Sequence, residues 1–342
     1  MRPRVPRALV AIALVLAMWA FGVGVYQTAG YLKANHARVQ KPTQTAGLVL
    51  PGTIFVVQSG AIYRYEGGRF SQITSESGWT QPAINPTGSS LIAVRRQPNR
   101  TDLYLLNTYG RVETKLTDDG SSVVEDNHWA FYPRFTPGGS QILFDFDPKD
   151  PYNSYRVDLA IFASPAYPSA AGWVQWTYPN YYTGGDVTPV PLRGGGLIYT
   201  KFSIDDQSKV HSQVWYQARV GDAGTALTDP AADCLQPALS ADEREVAMVC
   251  TNGPPQTAEL RWATFNPATL TLGTPTVLVK DGLVASPSFA PDGKTIAYLA
   301  PAEPGGGFQL WTVMVARSAS PSPVEISSTL DLDATSAPVW TT

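Results

Sequence analysis

The stretch from Ser286 to Leu299, SPSFAPDGKTIAYL, decides the fold of this chain. It contains a short apolar segment, a Pro-Asp-Gly turn and a second segment in which apolar residues alternate with polar ones. Two such segments joined by a tight turn are typical of antiparallel strands. The stretch therefore predicts one hairpin of an antiparallel sheet.

The same pattern returns along the chain at a regular interval. The other copies are Gln81–Gly88 (QPAINPTG), Tyr132–Gly139 (YPRFTPGG), Thr188–Leu192 (TPVPL), Gln236–Asp242 (QPALSAD) and Ala337–Trp340 (APVW). Their leading prolines fall at 82, 133, 189, 237, 287 and 338, so the intervals are 51, 56, 48, 50 and 51 residues. A period of this size with several strand signals per repeat is typical of propellers and arrays. We therefore predict an all-β fold, a β-propeller of six blades.

The two ends of the repeat region complete each other. The strands predicted at Thr53–Val57, Ala61–Tyr65 and Arg69–Ile73 lack the proline-containing strand that opens every other repeat. The segment Ser336–Thr342 is a proline-containing strand with no partners of its own. Pairing it with the first three strands would close the ring and cover its open edges. We therefore expect one closing blade shared between the two ends.

The segment Ala8–Leu32 contains 25 residues without a charge, enough for the roughly 20 that a membrane-spanning helix needs. Arg2, Arg4 and Arg7 precede it, which predicts a cytoplasmic N-terminus and an extracytoplasmic body. A cleaved signal peptide is the alternative, but its apolar region is usually only about 7–15 residues long. The length favours an uncleaved anchor, and a lipoprotein is excluded because no cysteine lies near the segment.

These signals predict a single-pass membrane protein whose globular part lies in the periplasm or at the cell exterior. The expected divisions are a cytoplasmic tail (1–7), a transmembrane anchor (8–32), a linker (33–47) and the propeller (48–342). The net charge is −3, from 25 basic and 28 acidic residues. This balance provides no general attraction for nucleic acid or for an anionic membrane surface. Nucleic acid is therefore not an expected partner.

The motif Ser-Pro-x-Phe-x-Pro-Asp-Gly-Lys-x-Ile-Ala at 286–297 resembles the repeat of the TolB-like propeller family, also described as WD40-like or PD40 repeats. The resemblance covers Leu48–Thr342 and implies an extracytoplasmic scaffold that binds other proteins or cell-envelope components, usually without catalysis. TolB proteins carry a separate α/β domain before the propeller, whereas this chain has the predicted anchor and linker. The resemblance therefore extends to the fold and not to the particular partners of TolB.

Catalytic signals are sparse. His128 and His211 do not stand in metal-ligand spacing, and no Gly-x-Ser-x-Gly elbow occurs. We therefore expect no enzyme activity, no cofactor and no metal. Two alternatives stay open: an accessory subunit of a larger membrane complex, and an enzyme that uses the central pocket of the propeller, as six-bladed lactonases do.

Three carboxylates, Asp145, Asp147 and Asp150, cluster in the sequence Asp-Phe-Asp-Pro-Lys-Asp. Calcium takes several oxygen ligands, but this stretch lacks the glycine and the terminal glutamate of a known calcium loop. Solvated loop carboxylates are therefore the favoured interpretation.

Aromatic residues are dense between positions 152 and 182. The segment Tyr178–Gly185 contains turn residues and no strand periodicity, which predicts that Tyr181 and Tyr182 lie on a surface loop. Exposed tyrosines are common in protein interfaces and sugar-stacking platforms. The alternative is that these rings pack over the edge of their own blade.

Cys234 and Cys250 are the only cysteines, and each lies eight residues from Asp242 in the turn of a predicted hairpin. This spacing can place them opposite each other on adjacent antiparallel strands. In an oxidising compartment the pair is expected to form a disulfide. A shift of the register by one residue would instead turn the side chains to opposite faces.

The direction of the strands predicts two different faces of the disk. The strands of each blade are labelled A to D from the axis outward. The A–B and C–D turns then share one face, which we call the short-turn face. The B–C and D–A loops share the other face, which we call the long-loop face. Because residue 53 begins strand B of the closing blade, the chain should enter on the short-turn face. The residues expected to be displayed to partners on the long-loop face are Trp129, Asp145, Asp147, Tyr152, Tyr181 and Tyr182.

Overall fold

The computed structural model describes residues 49–75, 77–149, 158–169, 172–251, 257–315 and 322–342. The predicted tail, anchor and linker, residues 1–47, lie outside these ranges, as do Asp150 and Tyr152. Within the described ranges, no helix is long and apolar enough to cross a membrane.

The described strands form the six blades of a β-propeller, and each blade is an antiparallel sheet. From the axis outward, blade one contains β25 (Val339–Thr341), β1 (Thr53–Gln58), β2 (Ala61–Glu66) and β3 (Arg69–Gln72). Blade two contains β4 (Trp79–Ile84), β5 (Ser90–Gln97), β6 (Arg100–Asn107) and β7 (Val112–Lys115). Blade three contains β8 (Ala130–Phe135), β9 (Gln141–Phe146), β10 (Ala160–Pro165) and β11 (Val174–Gln175).

The second half of the ring follows the same order. Blade four contains β12 (Asp186–Pro191), β13 (Leu197–Ile204), β14 (Val210–Gln217) and β15 (Thr225–Ala226). Blade five contains β16 (Cys234–Leu239), β17 (Glu245–Cys250) and β18 (Ala258–Asn266), with both β19 (Thr271–Leu272) and β20 (Thr276–Gly282) paired to β18. Blade six contains β21 (Ala285–Phe289), β22 (Thr295–Pro301), β23 (Phe308–Met314) and β24 (Val324–Glu325).

Blade one is shared between the two ends of the repeat region, as the sequence predicts. Its inner strand β25 pairs antiparallel with β1, placing Thr53 opposite Thr341 and Phe55 opposite Val339. The C-terminal strand therefore closes the ring by main-chain hydrogen bonds to the first strand of the propeller.

The repeated motif forms the inner strand of each blade and contains the same bulge in blades two to six. Two residues at the start of the motif face one residue of strand B, as between Thr80 and Ala83 of blade two. The first residue of the motif is left-handed, with φ between 47° and 56° at Gln81, Tyr132, Thr188, Gln236 and Ser286. Proline follows, and because it has no N–H, a bulge is one of the few sheet positions that accept it.

The bulges are linked into a ring of hydrogen bonds that run from blade to blade. The backbone N–H of the left-handed residue donates to a side chain of the preceding blade: Gln81 to Ser336 (2.9 Å), Tyr132 to Gln81 (2.8 Å), Thr188 to Asp145 (3.0 Å), Gln236 to Thr200 (3.0 Å) and Ser286 to Gln236 (2.8 Å). A bulge frees this N–H from the strand ladder, so without an acceptor it would be buried and unsatisfied. The side chains of one blade therefore fix the inner strand of the next.

The hydrophobic core consists of layers between neighbouring blades. For example, Phe55 and Val57 of blade one pack with Trp79 and Leu91 of blade two. Similar clusters join each further pair of neighbours around the ring. Because both faces of a blade's sheet are covered in this way, the middle strands are almost wholly apolar and buried, as in β1.

The outer strands differ most from the sequence-based predictions. The outer strands β15, β20 and β24 of blades four to six were not predicted, and β15 and β24 contain only two residues each. On the long-loop face, the B–C connection of blade four is short, because β13 and β14 pair as far as Ile204 and Val210 and leave a turn at 205–209. That turn is stabilised by Asp205, whose carboxylate accepts from the N–H groups of Gln207 and Lys209.

Candidate functional site

The two faces of the disk follow from the sheet order. Gly52 precedes β1 and lines a cavity with Pro291 and Asp292, which belong to the A–B turn of blade six. Tyr181 lies in the loop between β11 and β12, a D–A connection at the opposite ends of the strands. The described chain therefore enters the propeller on the short-turn face, and the tyrosine loop lies on the long-loop face.

The loop between β11 and β12 carries a cluster of exposed aromatic rings. Tyr178, Tyr181 and Tyr182 are 65%, 63% and 58% exposed. The rings of Tyr181 and Tyr182 meet edge to face, with their centroids 6.5 Å apart. More than half of the surface of each of these residues is thus available to solvent, which agrees with the predicted surface loop. Their role in binding stays a prediction.

This loop is held by a buried carboxylate that the sequence analysis did not single out. Asp158, which is 3% exposed, accepts hydrogen bonds from the N–H of Tyr182 (2.8 Å) and of Gly184 (2.9 Å). Tyr182 is left-handed, with φ 63°, a conformation that costs energy unless surrounding contacts stabilise it. Asp158 therefore fixes the backbone from which the two tyrosines project. A single aspartate far from the turn in sequence gives no local signal for such a role.

Trp129 lies at the same face, directly before β8, and is partly buried. Its ring stacks on that of Phe131, with centroids 6.0 Å apart and planes 13° apart. Trp129 was predicted to be displayed on this face, but it is only partly exposed, since one side of its ring contacts its own blade. Tyr152, the remaining aromatic residue of the predicted binding face, lies outside the described residues.

The prediction that Asp145 is a solvated loop carboxylate is wrong. Asp145 belongs to β9 and is fully buried. One of its oxygens is the acceptor for the bulge N–H of Thr188, and the other has no hydrogen-bond partner among the described residues. Burial raises the pKa of its carboxyl well above the usual value, and the like charge of Asp186 acts in the same direction. Asp145 is therefore part of the ring of hydrogen bonds that links the inner strands, and it is not displayed to partners.

The prediction for Asp147 is also wrong, because this residue is 1% exposed. Its carboxylate accepts from the N–H of Lys149 (3.2 Å) and forms an ion pair with the Lys149 ammonium (2.8 Å). Its own backbone N–H donates to the carbonyl oxygen of Trp129. Asp147 thus closes the end of β9 on the adjacent inner strand.

The two cysteines are joined by a disulfide in the structure. Cys234 opens β16 and Cys250 ends β17, and the register places them directly opposite each other. The bulge between Leu235 and Ala238 shifts the pairing by one residue within this hairpin. The disulfide links the inner two strands of blade five at their long-loop ends.

A charged cluster joins the B–C turn of blade four to the loop before blade five. The ring nitrogens of His211 lie 2.9 Å from an oxygen of Asp205 and 3.0 Å from an oxygen of Asp233. A neutral imidazole has one N–H, so it can donate to only one of these carboxylates. The hydrogen bond to Asp205, followed by that to Asp233, raises the pKa of His211. In the part of the chain that is described, no group of three or more His, Cys, Asp or Glu side chains is arranged to hold a metal ion.

Comparison with known proteins gives matches in structure only. No protein-family model matches the sequence, and no curated protein is significantly similar to it. TolB from Acinetobacter baumannii superimposes with a TM-score of 0.62 and 18% identity over 84% of this chain and 66% of that chain, slightly less than two thirds of its length. A putative TolB from Agrobacterium tumefaciens gives a TM-score of 0.56 and 12% identity over 84% of this chain and 92% of that chain.

The fold is that of a TolB-like propeller. An oligogalacturonate lyase in complex with manganese is also similar, with a TM-score of 0.52 and 9% identity over 78% of this chain and 70% of that chain. At such identities the similarity describes the architecture alone, because one propeller fold carries many unrelated activities. The function of this TolB-like propeller has to be argued from its own surface.

Proposed function

We propose that this protein is a membrane-anchored, extracytoplasmic scaffold that binds a protein partner on the long-loop face of its propeller, without catalysis. The observation that carries the proposal is the exposed cluster of Tyr178, Tyr181 and Tyr182 on a loop whose backbone is fixed by Asp158. The anchor and the extracytoplasmic location are supported by the uncharged segment 8–32 and by the arginines before it.

The tyrosine cluster has the properties of a binding surface. Tyrosine offers a large amphipathic contact area and loses only two side-chain torsions on binding, so it is enriched at interfaces. A loop that is already ordered loses less conformational entropy when a partner binds. The Asp158 hydrogen bonds supply that order, so the affinity gained from each ring is not offset by the cost of fixing the loop.

The direct test is to purify the full chain in mild detergent and to identify co-purifying proteins by mass spectrometry. Replacing Tyr181 and Tyr182 by alanine should remove the specific partner while the thermal midpoint stays close to that of the wild type. The matched control is the pair Tyr109→Ala and Tyr167→Ala. These tyrosines are 72% and 44% exposed and lie in the C–D connections of blades two and three, on the opposite face.

The outcomes separate the proposal from its alternatives. Retention of the partner by the Tyr181 and Tyr182 variant, with loss in the control pair, would place binding on the short-turn face and contradict the proposal. Loss only when Ala8–Leu32 is exchanged for an unrelated membrane helix would indicate an accessory subunit that packs through its anchor. Turnover of a lactone by the purified chain would favour the enzyme alternative.

A further inference from the structure

The axis of the propeller contains a cavity that opens towards the short-turn face. Its volume is about 320 Å³, and all six inner strands contribute to its wall. The residue after the motif proline lines the cavity in each blade: Ala83, Arg134, Val190, Ala238, Ser288 and Val339. Five of these side chains are small or aliphatic. Arg134 of blade three places a long cation where its counterparts are short and uncharged.

Arg134 also lines a second, smaller cavity of about 30 Å³ that lies deeper along the axis, beside Tyr132, Thr188 and Gln236. These three residues belong to the bulges of the inner ring. Arg134 therefore lies between the larger cavity and the bulges, since it lines both cavities.

Within the described residues, no carboxylate lies within ion-pair distance of Arg134, and no hydrogen-bond acceptor contacts its guanidinium. By contrast, Arg64, Arg100 and Arg261 each form an ion pair with a carboxylate. Two charged residues at the mouth of the cavity, Arg193 and Glu243, also have contacts within the protein. The Arg193 N–H donates to Glu243 (2.7 Å), and the Arg193 guanidinium donates to the carbonyl oxygen of Ala241. Among the described residues, the five N–H donors of the Arg134 guanidinium thus have no acceptor, at a position that lines both axial cavities.

The carboxylate with the largest electrostatic effect on Arg134 is Asp145, which acts to raise the pKa of the arginine but lies beyond ion-pair distance of it. Asp145 points one oxygen at Thr188, and its pKa is raised well above the usual value by burial. Burial in turn lowers the pKa of Arg134, since the charged form is the one that loses solvation. A cation in this setting is stabilised by an anion that enters from outside.

We propose that the central cavity binds a small organic anion, with a carboxylate on Arg134 and a short apolar group against the proline-rich wall. The planar guanidinium matches a carboxylate through two parallel hydrogen bonds. The volume suits a small ligand, and the wall around the cation contains Pro137, Pro191, Pro237, Pro287 and Pro338. A free aliphatic acid and the C-terminal carboxylate of a peptide offer the same chemistry.

The test is isothermal titration of the full chain in detergent with four probes: isovalerate, acetyl-dialanine, its C-terminal amide, and inorganic phosphate. We expect at least one of the two acids to bind saturably, with Kd on the order of 1 mM or below, and the amide to bind at least about 10-fold more weakly than its acid. Isovalerate binding with no peptide binding would identify a free acid as the source, and the reverse would identify a peptide terminus. Phosphate binding as tightly as the acids, or equal binding of acid and amide, would overturn the proposal.

The matched variants are Arg134→Met and Arg193→Ala. Arg134→Met should abolish binding and leave the thermal midpoint unchanged or higher, because it removes a half-buried cation that has no ion-pair or hydrogen-bond partner among the described residues. Arg193→Ala, at the mouth of the cavity, should retain binding within a few-fold. A marked loss of stability in Arg134→Met would show that Arg134 also has a structural role beside Asp145, and the acid and amide comparison would then decide the proposal. The acid and amide comparison on the wild-type protein needs no variant, so it stays decisive even then.

Discussion

The inner strands of this propeller keep one arrangement from blade to blade, whereas its long-loop face varies. On the inner strands, blades two to six repeat one arrangement: a left-handed residue, a proline and an N–H that donates to the preceding blade. On the long-loop face each blade differs, from the five-residue turn at 205–209 to the tyrosine loop between β11 and β12. The ring of hydrogen bonds between the inner strands is fixed because each contact supports its neighbour. The conformation of a loop is instead stabilised only by local contacts, such as those of Asp158. Breaking the ring should therefore affect the whole fold, and breaking a loop should affect that loop alone.

The largest effect is expected from removing the disulfide of blade five. The bond closes a loop with a sequence separation of 16 residues, and a loop of this size is worth about 3 kcal/mol through the entropy of the unfolded chain. The double variant Cys234→Ala and Cys250→Ala should lower the free energy of unfolding by about that amount, measured by urea denaturation at constant slope. An unchanged midpoint would mean that the inner strands of blade five hold without the cross-link.

A smaller but still global effect is expected from Asp145→Ala. This change removes the acceptor of the Thr188 N–H and leaves a buried donor unsatisfied, at a cost of about 1–3 kcal/mol. Asp145→Asn is the matched control, because its amide oxygen can still accept from Thr188 and no buried carboxyl remains. The control should unfold within about 1 kcal/mol of the wild type. Equal destabilisation of both variants would mean that Asp145 stabilises the fold through its charge and not through its hydrogen bond to Thr188.

The corresponding change on the long-loop face should act locally. Asp158→Ala removes the acceptor of the Tyr182 and Gly184 N–H groups, which can turn to solvent in an exposed loop. We expect the free energy of unfolding to change by less than about 1 kcal/mol while hydrogen exchange at both amides accelerates. Asp158→Asn has one acceptor oxygen in place of two and should protect one of the two amides. If Asp158→Ala lowered the free energy of unfolding as much as Asp145→Ala does, the loop contact would be as important for the whole fold as the contacts between the inner strands.

The smallest effect should be a pH dependence at the turn of blade four. The pKa of His211 is raised by Asp205 and Asp233, while Lys209 opposes the shift. Protonated His211 bridges both carboxylates, so its contribution is complete below about pH 6.5, the usual pKa of histidine, and is lost as pH rises through the raised value. NMR titration of the ring should report the raised pKa, and the protection factors of the amides at 205–209, which correct for the intrinsic rise of exchange with pH, should fall above it. In His211→Gln this fall should disappear, and its persistence would assign the pH effect to another group.

The repeat architecture was predictable because it rests on local signals that recur. Proline at intervals of 48 to 56 residues marks the inner strands, and the missing strand of the first repeat predicts the closure that β25 provides. The tyrosine loop was also predictable as exposed, since turn residues surround Tyr181 and Tyr182. The short outer strands β15 and β24 were missed because two-residue segments carry no periodicity.

The buried carboxylates could not be assigned from their neighbours in the chain. Asp145 and Asp147 lie in a polar stretch that reads as a solvated loop, yet both are buried. The partner of Asp145 is the Thr188 N–H, 43 residues further along and in the next blade. Such a contact exists only after two blades have packed, so no local pattern reveals it.

The sequence by itself determined the number of blades, the inner strands and the exposed tyrosines, because strand periodicity and turn chemistry act over a few residues. The tertiary structure alone decided which polar groups are buried and which acceptor each bulge N–H meets. It also decided that Arg134 lies on the axis, in a cavity built by all six inner strands. Two of these N–H groups meet acceptors about 50 positions away in the chain, and only the packing of neighbouring blades brings such residues together.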